Sequence, residues 1–372
     1  MHTPTTEIPS LHIIATMRLT DVKTRDKLMP LLQSRLVRKV TLVRFAPVKL
    51  ESDKLTQVIY DLGVRKSWTL FTGLKNAWMS FWTMLRLART ESPDVLIAFY
   101  LVPHGLVAWL AARVTHKKAI VSLIGSDFHR SLNLPLFGRA ITLVLRDFDA
   151  VAIFGEEVRQ ALVRFGVPAQ RVFVLPNTAD VSVFYPDSSV QPDVDLIYTG
   201  ALRDFKRVDL LLRALHQVCE IRPQTSLLVV GDGPERVPLE RLAQSLGLAE
   251  RVEFYGQTDQ VADQLRRARV FVMLSEHEGL PMAMIEAMCT GLPVVVTHVG
   301  AIDSVVCDGE NGYLVPSPAD PALVAGRILR LLDDPEHYQQ LSKAALRVRE
   351  THGYEQTARI WDDIFTAALR DS

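Results

Sequence analysis

Cysteine is scarce in this chain of 372 residues: Cys219, Cys289 and Cys307 are the whole set, odd in number and without metal-ligand spacing. That fits a reducing cytoplasm better than a disulfide framework. Net charge is lacking as well, with 42 Lys and Arg balancing 42 Asp and Glu, so the whole molecule carries no nucleic-acid signature. No low-complexity tract occurs, and no window of about 20 residues is apolar enough to span a bilayer. The opening MHTPTTEIPS has no apolar signal core, so a cytoplasmic rather than a secreted protein is expected.

What is present is an ordinary globular composition, 48% hydrophobic and 23% charged, in a chain long enough for two cores. The zero balance hides an asymmetry. Between Arg18 and Arg89, Lys and Arg outnumber Asp and Glu about three to one, which points to an anionic contact on that side.

Short Val/Ile/Leu runs alternate with helical patterns through the first half. LHIIATM (11–17), KVTLVRFA (39–46), DVLIAFY (94–100), KAIVSLIG (118–125), DAVAIFG (149–155) and RVFVLPN (171–177) read as buried strands. Helical patterns lie between them at 26–36, 105–114 and 156–166. After a polar, Pro- and Asp-containing linker at 178–195, the alternation restarts, with strands at 195–200, 226–233, 251–256, 270–275, 292–298 and 312–315. Continuous apolar strands separated by amphipathic helices predict an α/β protein of two Rossmann-like, doubly wound domains facing a cleft. The expected division is a first domain over 1–180, a second over 181–350, and a helix at 351–372 packing back on the first domain.

Glycines punctuate the strand ends of the second domain: Gly200, Gly231, Gly233, Gly256 and Gly279. There they permit close approach of a ligand, while the next helix offers free N–H groups to an anion. GDGPER alone reads equally as a strand-to-helix turn. In EHEGLPMAMIEAM (276–288), Pro281 suits the first helical position, Glu278 sits just before the turn, and Glu286 falls on the second turn among apolar neighbours. A buried carboxylate needs a partner, and ribose or sugar hydroxyls would supply one; a surface salt bridge would too.

The run EHEGLPMAMIEAMCTGLPVVVTHVGAIDSVVCDGENGYLV resembles the signature region of the family-four retaining glycosyltransferases, which have the GT-B fold. TGALRDFKRVDLLLRAL, LLVVGDGPER, VEFYGQT, FGVPAQRVFVLPN and FYLVPHGLVAWLAARV are similar to further elements, so the resemblance covers nearly the whole chain. It implies a nucleotide-sugar donor, UDP- or GDP-linked, no metal, and retention at the anomeric carbon. It implies that Glu278 touches the donor sugar, Glu286 the ribose, and the amides of Gly279 and Leu280 the diphosphate, with Lys206 neutralising the leaving phosphates. Gly200, Gly231 and Gly256 would line the donor loops. Asp127 would join Glu278 and Lys206 in catalysis, with Gly125, His104 and Arg130 on the acceptor side.

The sequence departs from that pattern at several points. The arginine after the phosphate-loop glycine is Ala201, with Arg203 two positions on as a substitute or a solvated loop residue. The histidine before G-x-D is Ile124, a glutamate expected near 304 is replaced by Asp303-Ser304, and TMRLTDVKTRDK lacks a glycine-rich first loop. A binding or interaction protein with a decayed site therefore stands beside the transferase. A nicotinamide oxidoreductase does not, because the first strand carries neither glycine fingerprint nor ribose acid. The acceptor implied is a glycan or lipid-linked saccharide in cell-surface polysaccharide or glycolipid synthesis. Over 66–92, Trp68, Phe71, Trp78, Phe81 and Trp82 alternate with Lys66, Lys75, Arg86 and Arg89. That pattern reads either as core or as a peripheral contact with an anionic membrane face.

Overall fold

The computed structural model describes residues 10–17, 19, 21–60, 70–123 and 137–370. They divide into two compact units. The first runs to Pro176 and resumes at Tyr354, and the second is Asn177–Gly353.

The first unit is built on β1 (Leu11–Thr16), β2 (Val37–Arg44), β3 (Leu55–Ile59), β4 (Val95–Phe99), β5 (Lys118–Ser122), β6 (Ala150–Ile153) and β7 (Val172–Val174). They lie in the order β3-β2-β1-β4-β5-β6-β7, all parallel. β1, β4 and β6 are buried along their whole length, as strands covered by helices on both faces must be. Ile14, Leu96 and Ala98 turn to one core layer with Met84, Leu87, Ala108 and Ala111. Their alternates Ile13, Val95 and Ile97 turn to the other, with Leu28, Leu31, Trp361 and Phe365. The second layer shows that Tyr354–Arg370, the last helix, belongs to this unit.

β3 is an addition to the sequence reading. Its register, Val40 opposite Leu55, makes it an edge strand, and none of its residues is fully buried, so LTQVI shows no apolar run. Helices Phe137–Asp147, Pro335–Ala345 and Val348–His352 are likewise additions. The second of these is announced by Asp334, whose Oδ1 accepts from the His337 N–H at 3.0 Å.

The second unit holds β8 (Val194–Thr199), β9 (Leu227–Val230), β10 (Val252–Gly256), β11 (Ala268–Met273), β12 (Val294–Thr297) and β13 (Gly312–Val315), in the order β10-β9-β8-β11-β12-β13, again all parallel. From β8 the chain fills one side of the sheet and then crosses to fill the other. The gap between the β8 and β11 ends is therefore the topological switch point, where open α/β sheets bind ligands. The stretch expected as a linker belongs to this unit from Asn177 onward. Arg349 donates to the carbonyl oxygens of Phe184 at 2.5 Å and Val181 at 3.0 Å, and Ala179 bridges Gly353. Among the described residues, no helix is long and apolar enough to cross a membrane.

Candidate active site

The strand ends of the second unit are tied together before any side chain is considered. Gly200 N–H donates to Val230 O and Gly231 N–H to Gly256 O, both at 2.9 Å. Gly231 has φ +139, and a Cβ there would overlap the carbonyl oxygen of Gly200, so only glycine lets the β8 and β9 loops meet this closely. On the far side of the switch point, Gly300 at φ +60 does the same for the loop after β11, since a Cβ would overlap the carbonyls of Glu278 and Gly279.

The β11 loop is oriented by its carbonyls. Gly279 O accepts from Ala301 N–H at 2.8 Å and Leu280 O from Asn177 Nδ2 at 2.5 Å. Because a trans peptide sets C=O and N–H in opposite directions, the Leu280 N–H points away from Ala301. Pro281, expected at the first helical position, is instead the N-cap of helix Met282–Cys289, with φ −75 and extended ψ 125. Extended ψ at a cap turns the chain into the helix one residue later, and Pro281 fills it because its ring fixes φ and no N–H is needed. The first amides of that helix have no intrahelical acceptor and face the same loop end. Glu286 sits half-buried on the second turn, between fully buried Ile285 and Ala287.

Across the switch point, Lys206 pairs with Glu278, both largely buried at 17% and 13% side-chain exposure. Lys206 closes a short turn, Asp204–Lys206, directly after the β8 loop, while Arg203 at its start is exposed. Beneath them Tyr198, almost fully buried, donates its hydroxyl to Ala201 O at 3.1 Å. Burial first, and the Glu278 charge second, push that phenol well above its ordinary value, so it stays protonated. The site thus brings Gly200, Arg203, Lys206, Gly231, Gly256, Glu278, Gly279, Leu280 and Glu286 to the carboxyl ends of one sheet. Sequence reasoning missed Tyr198, Asn177, Gly300 and a second ion pair, Arg207–Glu276. No local pattern marks any of these four.

The acceptor-side expectations belong to the first unit. His104 is buried, with Nδ1 3.1 Å from Thr16 Oγ1, at the β1/β4 switch point of that sheet. Its ring is set in the core rather than on an open loop. Gly125, Asp127 and Arg130 lie outside the described residues.

Comparison with known proteins accords with this geometry. Residues 188–348 match the family model described as glycosyl transferases group 1, and residues 22–178 match the glycosyl transferase 4-like domain. The chain is similar to the N-acetyl-alpha-D-glucosaminyl L-malate synthase of Bacillus anthracis, 27% identical over 77% of this chain and 78% of that protein. It is 38% identical to the D-inositol 3-phosphate glycosyltransferase of Streptomyces avermitilis, over 47% of this chain and 40% of that one. Two solved structures share the fold. The sucrose-phosphate synthase of Thermosynechococcus elongatus has TM-score 0.77 at 20% identity, covering 97% of this chain and 100% of that one. The Anabaena protein HepE, solved with UDP, has TM-score 0.75 at 16% identity, covering 96% and 100%. Two family models divide the chain almost as its two sheets do, and the doubly wound order of each sheet is the order that fold requires. The chain belongs to the group 1, family-four glycosyltransferases of GT-B fold.

Proposed function

We propose that the protein moves a sugar from a nucleoside-diphosphate donor, UDP- or GDP-linked, to a glycan or lipid-linked saccharide acceptor, with retention at the anomeric carbon. The observation that carries the reading is the Lys206–Glu278 pair held across the switch point of the second sheet. A departing nucleoside diphosphate needs positive charge already in place, and Lys206 supplies it, with exposed Arg203 within the same loop. The Leu280 amide and the first turn of Met282–Cys289 receive the diphosphate, and Glu286 accepts from the ribose hydroxyls. Glu278, released from Lys206 when phosphate arrives, accepts from the sugar hydroxyls. The acceptor oxygen bonds to the anomeric carbon on the face the phosphate leaves. The electron pair of the broken C–O bond stays on the phosphate, which takes the acceptor's proton. A sugar donor of this kind is consistent with relatives named as an N-acetyl-alpha-D-glucosaminyl L-malate synthase and a D-inositol 3-phosphate glycosyltransferase, and with the UDP and UDP-glucose held by the Anabaena neighbour.

The acceptor side carries a second part of the reading. On helix Leu70–Thr90, Trp78 and Trp82 are 62% and 49% exposed, with ring centroids 5.6 Å apart, and exposed Arg86 and Arg89 continue their stripe. A basic, aromatic stripe of this kind suits an anionic lipid surface, where a lipid-linked acceptor would be presented.

The test is a thermal-shift screen with UDP, GDP and ADP, followed by turnover with the matching sugar donors. One diphosphate at about 100 times its dissociation constant stabilises the wild type by about 2.7 kcal/mol. Lys206→Ala and Glu286→Ala each weaken that response, and Lys206→Ala lowers kcat by roughly 100-fold or more. Binding without turnover would identify a decayed site, for which Ala201 is the motive. Equal binding by wild type and both variants would remove the donor assignment.

A further inference from the structure

Two consecutive cations face two carboxylates across the switch point. Lys206 takes Glu278, and Arg207 takes Glu276 on the same loop. Between these rungs the Glu276 N–H donates to Phe205 O at 2.8 Å, so the loops after β8 and β11 are joined at three successive points. Arg207 also grips Asp209 through two nitrogens, at 2.9 and 3.0 Å. It does so at φ 50 and ψ 40, a left-handed conformation that any side chain disfavours and glycine accepts freely. The backbone cost of that conformation is offset by the side-chain pairs the guanidinium makes.

The local charge count says what the guanidinium does there. Asp209, Glu276 and Glu278 are three carboxylates against two cations, Lys206 and Arg207. Without the guanidinium, Glu276 would be left on the same loop, two residues from Glu278, with Lys206 as the cation opposite. We propose that Arg207 is a positioning residue that keeps Glu276 away from Lys206, so that the ammonium has Glu278 alone to give up when phosphate arrives. The planar fork of an arginine takes Asp209 through two nitrogens and Glu276 through the third, a directional geometry that a lysine's point charge does not reproduce. The outer pair is the more exposed, at 26% and 36%, so it adds little to stability, and its effect falls on the inner pair. The proposal rests on the donor reading above for its catalytic consequence, but the pairing of Lys206 can be read without it.

Arg207→Gly removes the guanidinium while relieving the positive φ, so loss of folding does not confuse the result. The full chain is followed by kcat and KM for the donor, and by competitive amine labelling of Lys206 with mass spectrometry. Arg207→Gly lowers kcat on the order of 10-fold and slows labelling of Lys206, because an ammonium hydrogen-bonded to two carboxylates is less available to the reagent. Arg207→Gly combined with Glu276→Gln recovers both, since the competing charge is gone. Wild-type kinetics and labelling in Arg207→Gly would overturn the proposal. So would a defect that Glu276→Gln does not repair, which marks a merely structural role. If no sugar donor is turned over by the wild type while the labelling slows and recovers as stated, the donor reading fails and the positioning role stands.

Discussion

The amine of Lys27 lies 4.0 Å from the centre of the Phe154 ring, on the second turn of helix Asp21–Gln33. Burial lowers its pKa from the ordinary 10.5 to about 8, with Asp26 opposing that shift and Lys23 adding to it. A lysine with a lowered folded pKa binds fewer protons than the unfolded chain between those two values. Stability therefore rises with pH from about 8 toward 10.5, and the charged amine is a burden at neutral pH. Lys27→Met should raise stability at pH 7 by about 1–2 kcal/mol, the side chain being partly open to solvent and the cost discounted for that. The advantage should fade by pH 10. Urea melts at both pH values decide this, and curves that run parallel for wild type and variant would refute it. Nothing in the string DKLMP announces the effect, because it depends on burial that the rest of the fold supplies.

Helix Leu70–Thr90 shows the same limit for a whole element. Its spacing announced a helix but left both the core and the lipid reading open for its aromatics. The structure divides them. Phe81 packs against the core, Trp78 and Trp82 are exposed, and Trp68 and the side chain of Phe71 lie outside the described residues. The polar residues between them go inward. Asn76 and Ser80 are buried, Asn76 accepting from the Tyr60 hydroxyl at 2.6 Å and Ser80 lying 3.3 Å from Thr16 Oγ1. The exposed face therefore carries the two tryptophans while Asn and Ser go inward, and the proposed lipid contact is a claim about that face. Sedimentation with vesicles is expected to show a preference for anionic over neutral lipid that weakens with salt. Trp78→Ser with Trp82→Ser, or Arg86→Gln with Arg89→Gln, should reduce that binding by about 10-fold without changing the melting curve. Equal affinity for neutral and anionic vesicles would dismiss the surface.

At the scale of the molecule, the chain leaves the first unit at Pro176 and returns to it at Tyr354. The returning helix is part of that unit's core. Trp361 and Phe365 stack at 5.6 Å, Asp362 accepts from Ser34 at 2.5 Å and faces Arg35 at 3.2 Å, and Tyr354 donates to Asp26 at 2.8 Å. The second unit has its own core, with Leu211, Val229, Phe271 and Val295 among its buried residues. Trp361→Ala should therefore cost about 3–5 kcal/mol in the first unit and leave the second intact. Calorimetry should show the lower transition moving alone, while the stabilisation of the other transition by a nucleoside diphosphate survives. A single transition that shifts as a whole would count against two independently cored units.

The sequence by itself determined the parallel, doubly wound character of both sheets. Strands covered on two faces must be apolar throughout, and LLVV or VVVT says so without help from any distant residue. It also marked Glu278 and Glu286 as candidates, because the turn before a helix and a carboxylate among apolar neighbours are local features, whereas Lys206 followed only from the family resemblance. It was silent on β3, whose half-exposed edge position leaves no apolar run. The rest was decided by strand order. Arg207 and Glu276 are 69 residues apart, and Asn177 and Leu280 are 103 apart. Arg207 and Glu276 meet because β8 and β11 are neighbours in the sheet, although β9 and β10 come between them in the chain, and Asn177 reaches Leu280 from the segment that precedes β8. Periods of two and 3.6 residues report what one element does with its own faces. Which loops lie side by side follows from how the elements cross, and only the folded sheet settles that.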